Sequence, residues 1–207
     1  MCEFKSGIVL RDEREKGGFR LLMSPWTESH SELCTIFGLN DGARLTFARV
    51  EFSPPSMETA HLVDGYKLKL DEERTPYWWT DEISDAVAAK MRDYVKRMIV
   101  TGDVALLIGG QFIIAPGAKV ECAHSMVINA MVGGTLNRME GGTLDRMVGG
   151  TLNSMVSGTL NRMDGGTLNR MEGGTLNSMY GGTLNSMYGG TLNSMYGGTI
   201  VKDYRTK

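Results

Sequence analysis

The chain has 207 residues, with 22 Lys or Arg against 24 Asp or Glu and a formal net charge of −2. That balance, with no clustered basic face, argues against general nucleic-acid binding, and the acidic excess is too small for a mimic of duplex DNA. No long uninterrupted apolar run or leader-type segment is present, and the three cysteines, Cys2, Cys34 and Cys122, are odd in number and scattered. The expectation is a protein without a membrane span in a reducing, cytoplasmic compartment.

Residues 1–79 have the texture of a small α+β module. Phe4 to Leu10 and Phe19 to Met23 alternate as strands do, separated by the charged turn Asp12 to Gly18. Ser29 and Glu32 make a capping-box pattern that opens a short helix through Leu33, Ile36 and Phe37, stopped by Gly38. Leu45 to Phe52 reads as a strand ended by Pro54 and Pro55, and Tyr66, Leu68 and Leu70 alternate with Lys67 and Lys69 to give a strand with one wet face. Pro76 to Trp79 reads as an aromatic plug for the small core.

Residues 80–100 read as one helix. Thr80 is an N-cap, Asp81 and Glu82 fall in the first turn, and Lys96 and Arg97 fall near the end, each favourable to the helix dipole. Ile83, Val87, Met91, Tyr94 and Met98 share one face. Its place just before a repeat array suggests a helix that caps the open end of that array.

From Gly133 onward an eight-residue unit, Gly-Gly-Thr-Leu-Asn-Arg-Met-Glu and its close copies, runs to Tyr204. Weaker copies begin at Ser125, Gly117, Gly109 and, most loosely, Thr101, so the array is placed at 101–207. A unit this short buries nothing alone and must stack on its copies. Leu136 and Met139 are the apolar constants, so a short strand, a corner and a glycine turn follow for each unit. Gly-Gly every eight residues excludes a helix, at roughly 1 kcal/mol per glycine in a helix interior. Two octads per coil place Glu140 under Val156 and Val148 under Asp164, which avoids the like-charge stack of 140 on 164 that three octads impose, although Arg146 then meets Arg162. The sixth and eighth positions share a face and pair Arg138 with Glu140, Arg162 with Asp164 and Arg170 with Glu172. The expected fold is therefore mainly β: an α+β N-terminal module, a capping helix and a β-solenoid of octads.

Few residues suggest chemistry. Loss of the initiator Met would leave Cys2 with a free α-amine as its own base, the logic of N-terminal nucleophile hydrolases. The following Gly7-Ile8 loosely resembles the Cys-Gly-Ile start of glutamine amidotransferases, although Glu3 and Phe4 stand in its place. The plainer reading of Cys2 is a partly buried strand-end cysteine. His30, His61 and His124 lack metal-ligand spacing with one another or with the cysteines, so no metal and no cofactor is expected. The glycine pairs match neither a phosphate loop nor a calcium roll. Asp71 to Arg74 reads as a solvated turn, and Tyr66, Trp78 and Trp79 as core before ligand pocket. The Thr135 and Asn137 rows are either hydrogen-bonded ladders or a flat array of the ice-binding kind.

The segments Met1 to Phe4, Thr27 to His30, Arg49 to Glu51 and Leu70 to Glu73 followed by Pro76 resemble uncharacterised bacteriophage and prophage proteins with a small N-terminal module and a degenerate repeat tail. The repeat part resembles octapeptide β-solenoids. The resemblance implies a host cytoplasm as location and a host protein or small signalling molecule as partner. It assigns no activity and no functional residue.

The eighth position changes to Tyr in the last four octads, at Tyr180, Tyr188, Tyr196 and Tyr204. Exposed tyrosines offer rigid contact area with a polar tip, which makes them the expected binding residues. The sequence reading is a non-enzymatic scaffold or binding protein that self-associates as a homodimer through these C-terminal coils. Its rivals are a Cys2-dependent hydrolase, an ice binder and a structural fibre.

Overall fold

A computed structural model describes residues 4–40 and 46–205. Its internal packing divides it into two units, Met1–Pro55 with Leu62–Arg97, and Ser56–His61 with Met98–Lys207.

The first unit is built on four antiparallel strands, β1 (Lys5–Arg11), β2 (Phe19–Leu22), β3 (Phe47–Ser53) and β4 (Lys67–Leu70), in the order β2-β1-β3-β4. Helix α1 (His30–Ile36) is capped by Ser29, whose side chain accepts from the Glu32 backbone amide, and Gly38 follows at φ 65. Helix α2 (Asp81–Met98) begins at Thr80, whose hydroxyl accepts from the Ile83 amide at 3.3 Å. It buries Val87, Met91 and Val95 and lies on the sheet, with Lys90 over the Phe19 ring and Tyr94 under Lys5.

Two local expectations change. Strand β1 is buried on both faces from Lys5 to Val9, since it lies inside the sheet. Lys5 survives there because its Nζ donates to the Ser24 carbonyl at 2.6 Å and to Glu28 at 2.8 Å. Burial lowers its pKa, with Glu28 opposing that shift. The aromatic plug is Trp78, which is buried, with the half-buried Trp79 ring 5.9 Å from it. Tyr77 faces solvent, where its hydroxyl accepts from Arg11 at 2.7 Å.

The second unit is the solenoid. Its strands are β5 (Ile99–Val100), β6 (Asp103–Ile108), β7 (Gln111–Ile114), β8 (Lys119–His124), β9 (Val127–Met131), β10 (Thr135–Met139), β11 (Thr143–Met147), β12 (Thr151–Met155), β13 (Thr159–Met163), β14 (Thr167–Met171), β15 (Thr175–Met179), β16 (Thr183–Met187), β17 (Thr191–Met195) and β18 (Thr199–Asp203). Odd and even strands form two seven-stranded sheets whose neighbouring strands run parallel. Thr135 lies beside Thr151 and Leu136 beside Leu152, so one coil is two octads.

The sequence dictates each part of that coil. Leu and Met from both sheets fill the interior, and every one from Leu136 to Met187 is fully buried. The second glycine of each pair turns the corner with positive φ, as Gly150 does at 78°. A Cβ on Gly150 would stand 2.6 Å from backbone atoms of Gly133 and Gly134 in the coil below, so a side chain is excluded there by space as well as conformation. Outside, Arg138 pairs with Glu140 at 2.5 Å, Arg162 with Asp164 at 2.7 Å and Arg170 with Glu172 at 3.0 Å. Arg146, whose own eighth position is Val148, stacks on Arg162, and Asp164 binds both guanidinium groups.

Candidate functional site

The coil register carries each side chain up the solenoid at sixteen-residue intervals, and the ladders on its surface follow from that. Asn153, Asn169 and Asn185 each donate their amide to the Asn one coil below, at 2.6–2.7 Å, and the lowest, Asn137, donates to Glu121 at 2.8 Å. On the other sheet Asn177 and Asn193 continue from Asn161, which donates to Asp145 at 2.8 Å. The Asn rows are thus hydrogen-bonded ladders, with the amides engaged along the sheet and half-buried. This is the structural alternative to a free ice-binding plane.

The four candidate tyrosines form two separate stacks. Tyr180 and Tyr196, which follow β15 and β17, have ring centroids 4.7 Å apart and planes 20° from parallel. Tyr188 and Tyr204, which follow β16 and β18, stack at 4.7 Å and 10°. Each stack ends on a cation that the sequence reading did not identify. The Arg162 guanidinium carbon lies 3.9 Å from the Tyr180 centroid, and that of Arg170 lies 4.5 Å from the Tyr188 centroid. The signal was available: an Arg at the sixth position stands eighteen residues before each of these tyrosines.

The last coil differs from those before it. Met195 is 45% exposed, whereas Met179 and Met163 beneath it in the same column are at 0%, and the adjoining Tyr196 is 69% exposed. Strand β18 carries Ile200, Val201, Lys202 and Asp203 where the repeat has Leu, Asn, Ser or Arg, and Met, so an acid occupies the column that holds Met187 one coil below. Arg205 chelates Asp203 with contacts of 2.9 and 2.6 Å, which holds that carboxyl down at a pKa of about 2. Arg205 acts within its own chain, and Asp203 is the inward-column charge.

Cys2 lies outside the described residues. Cys34 is packed with Ile8, Leu33 and Phe47 in the core of the first unit, and the Cys122 thiol is pushed up by burial and by Glu140 beside it. His124 is on the coil surface. His30 opens α1, and the fold also brings it to Glu51 and Asp71, a grouping that linear spacing could not reveal. Asp71 further lines a cleft of about 660 Å³ together with Arg49, Arg74 and Tyr77.

Comparison with protein-family models, with curated proteins and with solved structures gives no match to this chain.

Proposed function

We propose that this protein is a non-enzymatic β-solenoid scaffold that joins a second copy of itself through its C-terminal coil, forming a closed homodimer. The observation that carries the reading is the break in the methionine column: Met195 stands 45% exposed above fully buried copies of itself. Leu192 is also only partly buried, so β17 offers apolar surface together with a strand edge that has β15 as its one neighbour among the described residues. Pairing with the same strand of a second chain would cover both.

The two edges of the last coil are chemically unequal, and this favours a dimer over a fibre. Strand β18 presents Lys202 and Asp203, charges that oppose sheet continuation, whereas β17 presents none. A two-fold axis that sets β17 antiparallel to its counterpart uses the apolar edge on both partners and closes the assembly. The exposed ring of Tyr196, at the end of β17, lies at the margin of that contact. One coil end is a small patch, so the association is expected to be reversible and concentration dependent.

Sedimentation equilibrium of the full chain tests the proposal. The expected result is a mass that doubles with concentration, is halved by Met195→Asp, and is weakened when Tyr180, Tyr188, Tyr196 and Tyr204 are replaced by Ser. A monomer at every concentration would overturn it and would leave a foreign partner, such as the host protein or small molecule implied by the phage resemblance, as the target of this end. An unchanged dimer in the Met195→Asp protein would place the contact elsewhere.

A further inference from the structure

We propose that His30, Glu51 and Asp71 form a binding site for a first-row divalent transition-metal cation. One ligand atom from each lies within 4.8 Å of the other two. The three come from separate parts of the first unit: His30 opens α1, Glu51 lies in β3, and Asp71 follows β4. All three are positioned by backbone structure. Glu51 is registered opposite Lys69 in the β3–β4 ladder, and the Asp71 amide donates to the Arg49 carbonyl at 2.9 Å.

The orientation of the imidazole is the second observation. His30 is buried, and its Nε2 lies 3.1 Å from the Val50 carbonyl oxygen. A carbonyl only accepts, so Nε2 carries the proton and donates. Nδ1 is then the ring nitrogen turned toward the carboxylates, and it faces Asp71 Oδ2 at 3.3 Å. A lone pair and a carboxylate at that distance repel unless a cation lies between them. That cation is either a second ring proton or a metal ion.

Three features favour the metal. A backbone carbonyl fixing the distal ring nitrogen is the usual outer support of a metal-binding histidine. A separation of about 3.3 Å equals the ligand–ligand edge of a tetrahedron with metal–ligand bonds of about 2.0–2.1 Å. Two carboxylates beside one imidazole also suit a dication. Glu51 is 4% exposed and Asp71 adds a second carboxylate, and among the described residues Lys69 lies 3.5 Å from Glu51 on a largely exposed side chain. Displacing Lys69 into solvent would free both Glu51 oxygens for a dication. One imidazole with two carboxylates suits Zn²⁺, Co²⁺ or Mn²⁺ better than Ca²⁺ or Mg²⁺, which take all-oxygen sets. Three protein ligands leave a fourth position open, and Asp71 places the ion at the border of the cleft lined by Arg49, Arg74 and Tyr77.

Calorimetric titration of the full chain, stripped with chelator, with Zn²⁺ tests the site, and Co²⁺ provides a spectroscopic readout. The expected result is one saturable site per chain, with intense visible bands of tetrahedral Co²⁺ and no response to Mg²⁺. Asp71→Asn, at an exposed position and with the side chain's shape retained, should weaken Zn²⁺ by about tenfold or more. Glu51→Gln should do the same, with far-ultraviolet circular dichroism confirming that the protein is folded. Absence of saturable Zn²⁺ binding would overturn the proposal. So would affinity that persists in Asp71→Asn but disappears in Cys122→Ser, which would move the ion to the surface of the solenoid.

Discussion

Asn129 Oδ1 is buried without a hydrogen-bond partner, and the residue one coil above it in the same column is Asp145. At each step above Asp145 in that column an Asn amide donates downward, from Asn161 to Asp145, Asn177 to Asn161 and Asn193 to Asn177. A carboxylate has no N–H to offer, so Asp145 breaks the ladder below itself while accepting from above. Its carboxyl is pushed above the ordinary value of 3.8, by burial first, with the Asn161 amide opposing the shift.

Asp145→Asn should therefore stabilise the protein at neutral pH, by about 1–2 kcal/mol, through completing the ladder and removing a desolvated charge. The sign of the pH dependence follows from the raised pKa. The folded protein holds the Asp145 proton more tightly than the unfolded chain, so wild-type stability declines as pH rises from the unfolded value through the folded one. Denaturation at about pH 3 and about pH 7 should show the variant's advantage small at the lower value and full at the higher. An equal advantage at both would mean that the ladder geometry, rather than the charge, sets the difference.

Gly174→Ala should be strongly destabilising. Gly174 has φ +77, and a Cβ there would stand 2.5 Å from the Gly158 carbonyl oxygen of the coil below. The left-handed backbone alone costs about 1–2 kcal/mol for a residue with a Cβ, and the clash adds to it. Gly102→Ala is the control, because a Cβ at Gly102 meets nothing within 4 Å. Urea unfolding of the two variants should separate them clearly.

Met163→Asp should unfold the coils around it, at a cost of about 3–5 kcal/mol for an unpaired buried charge. Met163 is fully buried with Met147 below and Met179 above. The repeat itself shows when an acid is allowed at this position: Asp203 holds it in the last octad, where it is exposed and chelated by Arg205. Thermal unfolding of the variant at the wild-type temperature would refute the inward assignment of the methionine column.

The Arg162 guanidinium over the Tyr180 ring should contribute a measurable coupling. A double-mutant cycle of Arg162→Ala and Tyr180→Ala should give about 0.5–1 kcal/mol, the range for such contacts near a surface. The Arg162–Asp164 pair adds a complication that Asp164→Asn in a parallel cycle resolves. Zero coupling would mean that Tyr180 is held by Tyr196 alone.

Much of the solenoid is legible in the sequence because its register is arithmetic. Once Leu136 and Met139 face inward, the alternation of acids at 140 and 164 with valines at 148 and 156 favours two octads per coil, and the stacks of Tyr180 on Tyr196 and Tyr188 on Tyr204 follow. Helices α1 and α2 are equally legible from Ser29 and Thr80, since capping is a local property. What stays hidden depends on places where the pattern ends or where distant elements meet. Exposure of Met195 follows from being in the last coil, although its sequence neighbours match those of buried Met179. His30, Glu51 and Asp71 converge only when α1 and the β3–β4 ladder are assembled, and the burial of Lys5 follows from β1 being an inner strand. Likewise, Ser56–His61 packs with the solenoid unit, a placement that no periodicity in those six residues indicates.

Amide hydrogen exchange at low and high protein concentration tests the pairing of β17 most directly. The predicted result is protection of Thr191–Met195 amides that rises with concentration, while the amides of Thr199–Asp203 exchange at the same rate in both samples. Protection that rises at β18 and not at β17, or that is independent of concentration in both strands, would contradict the closed dimer.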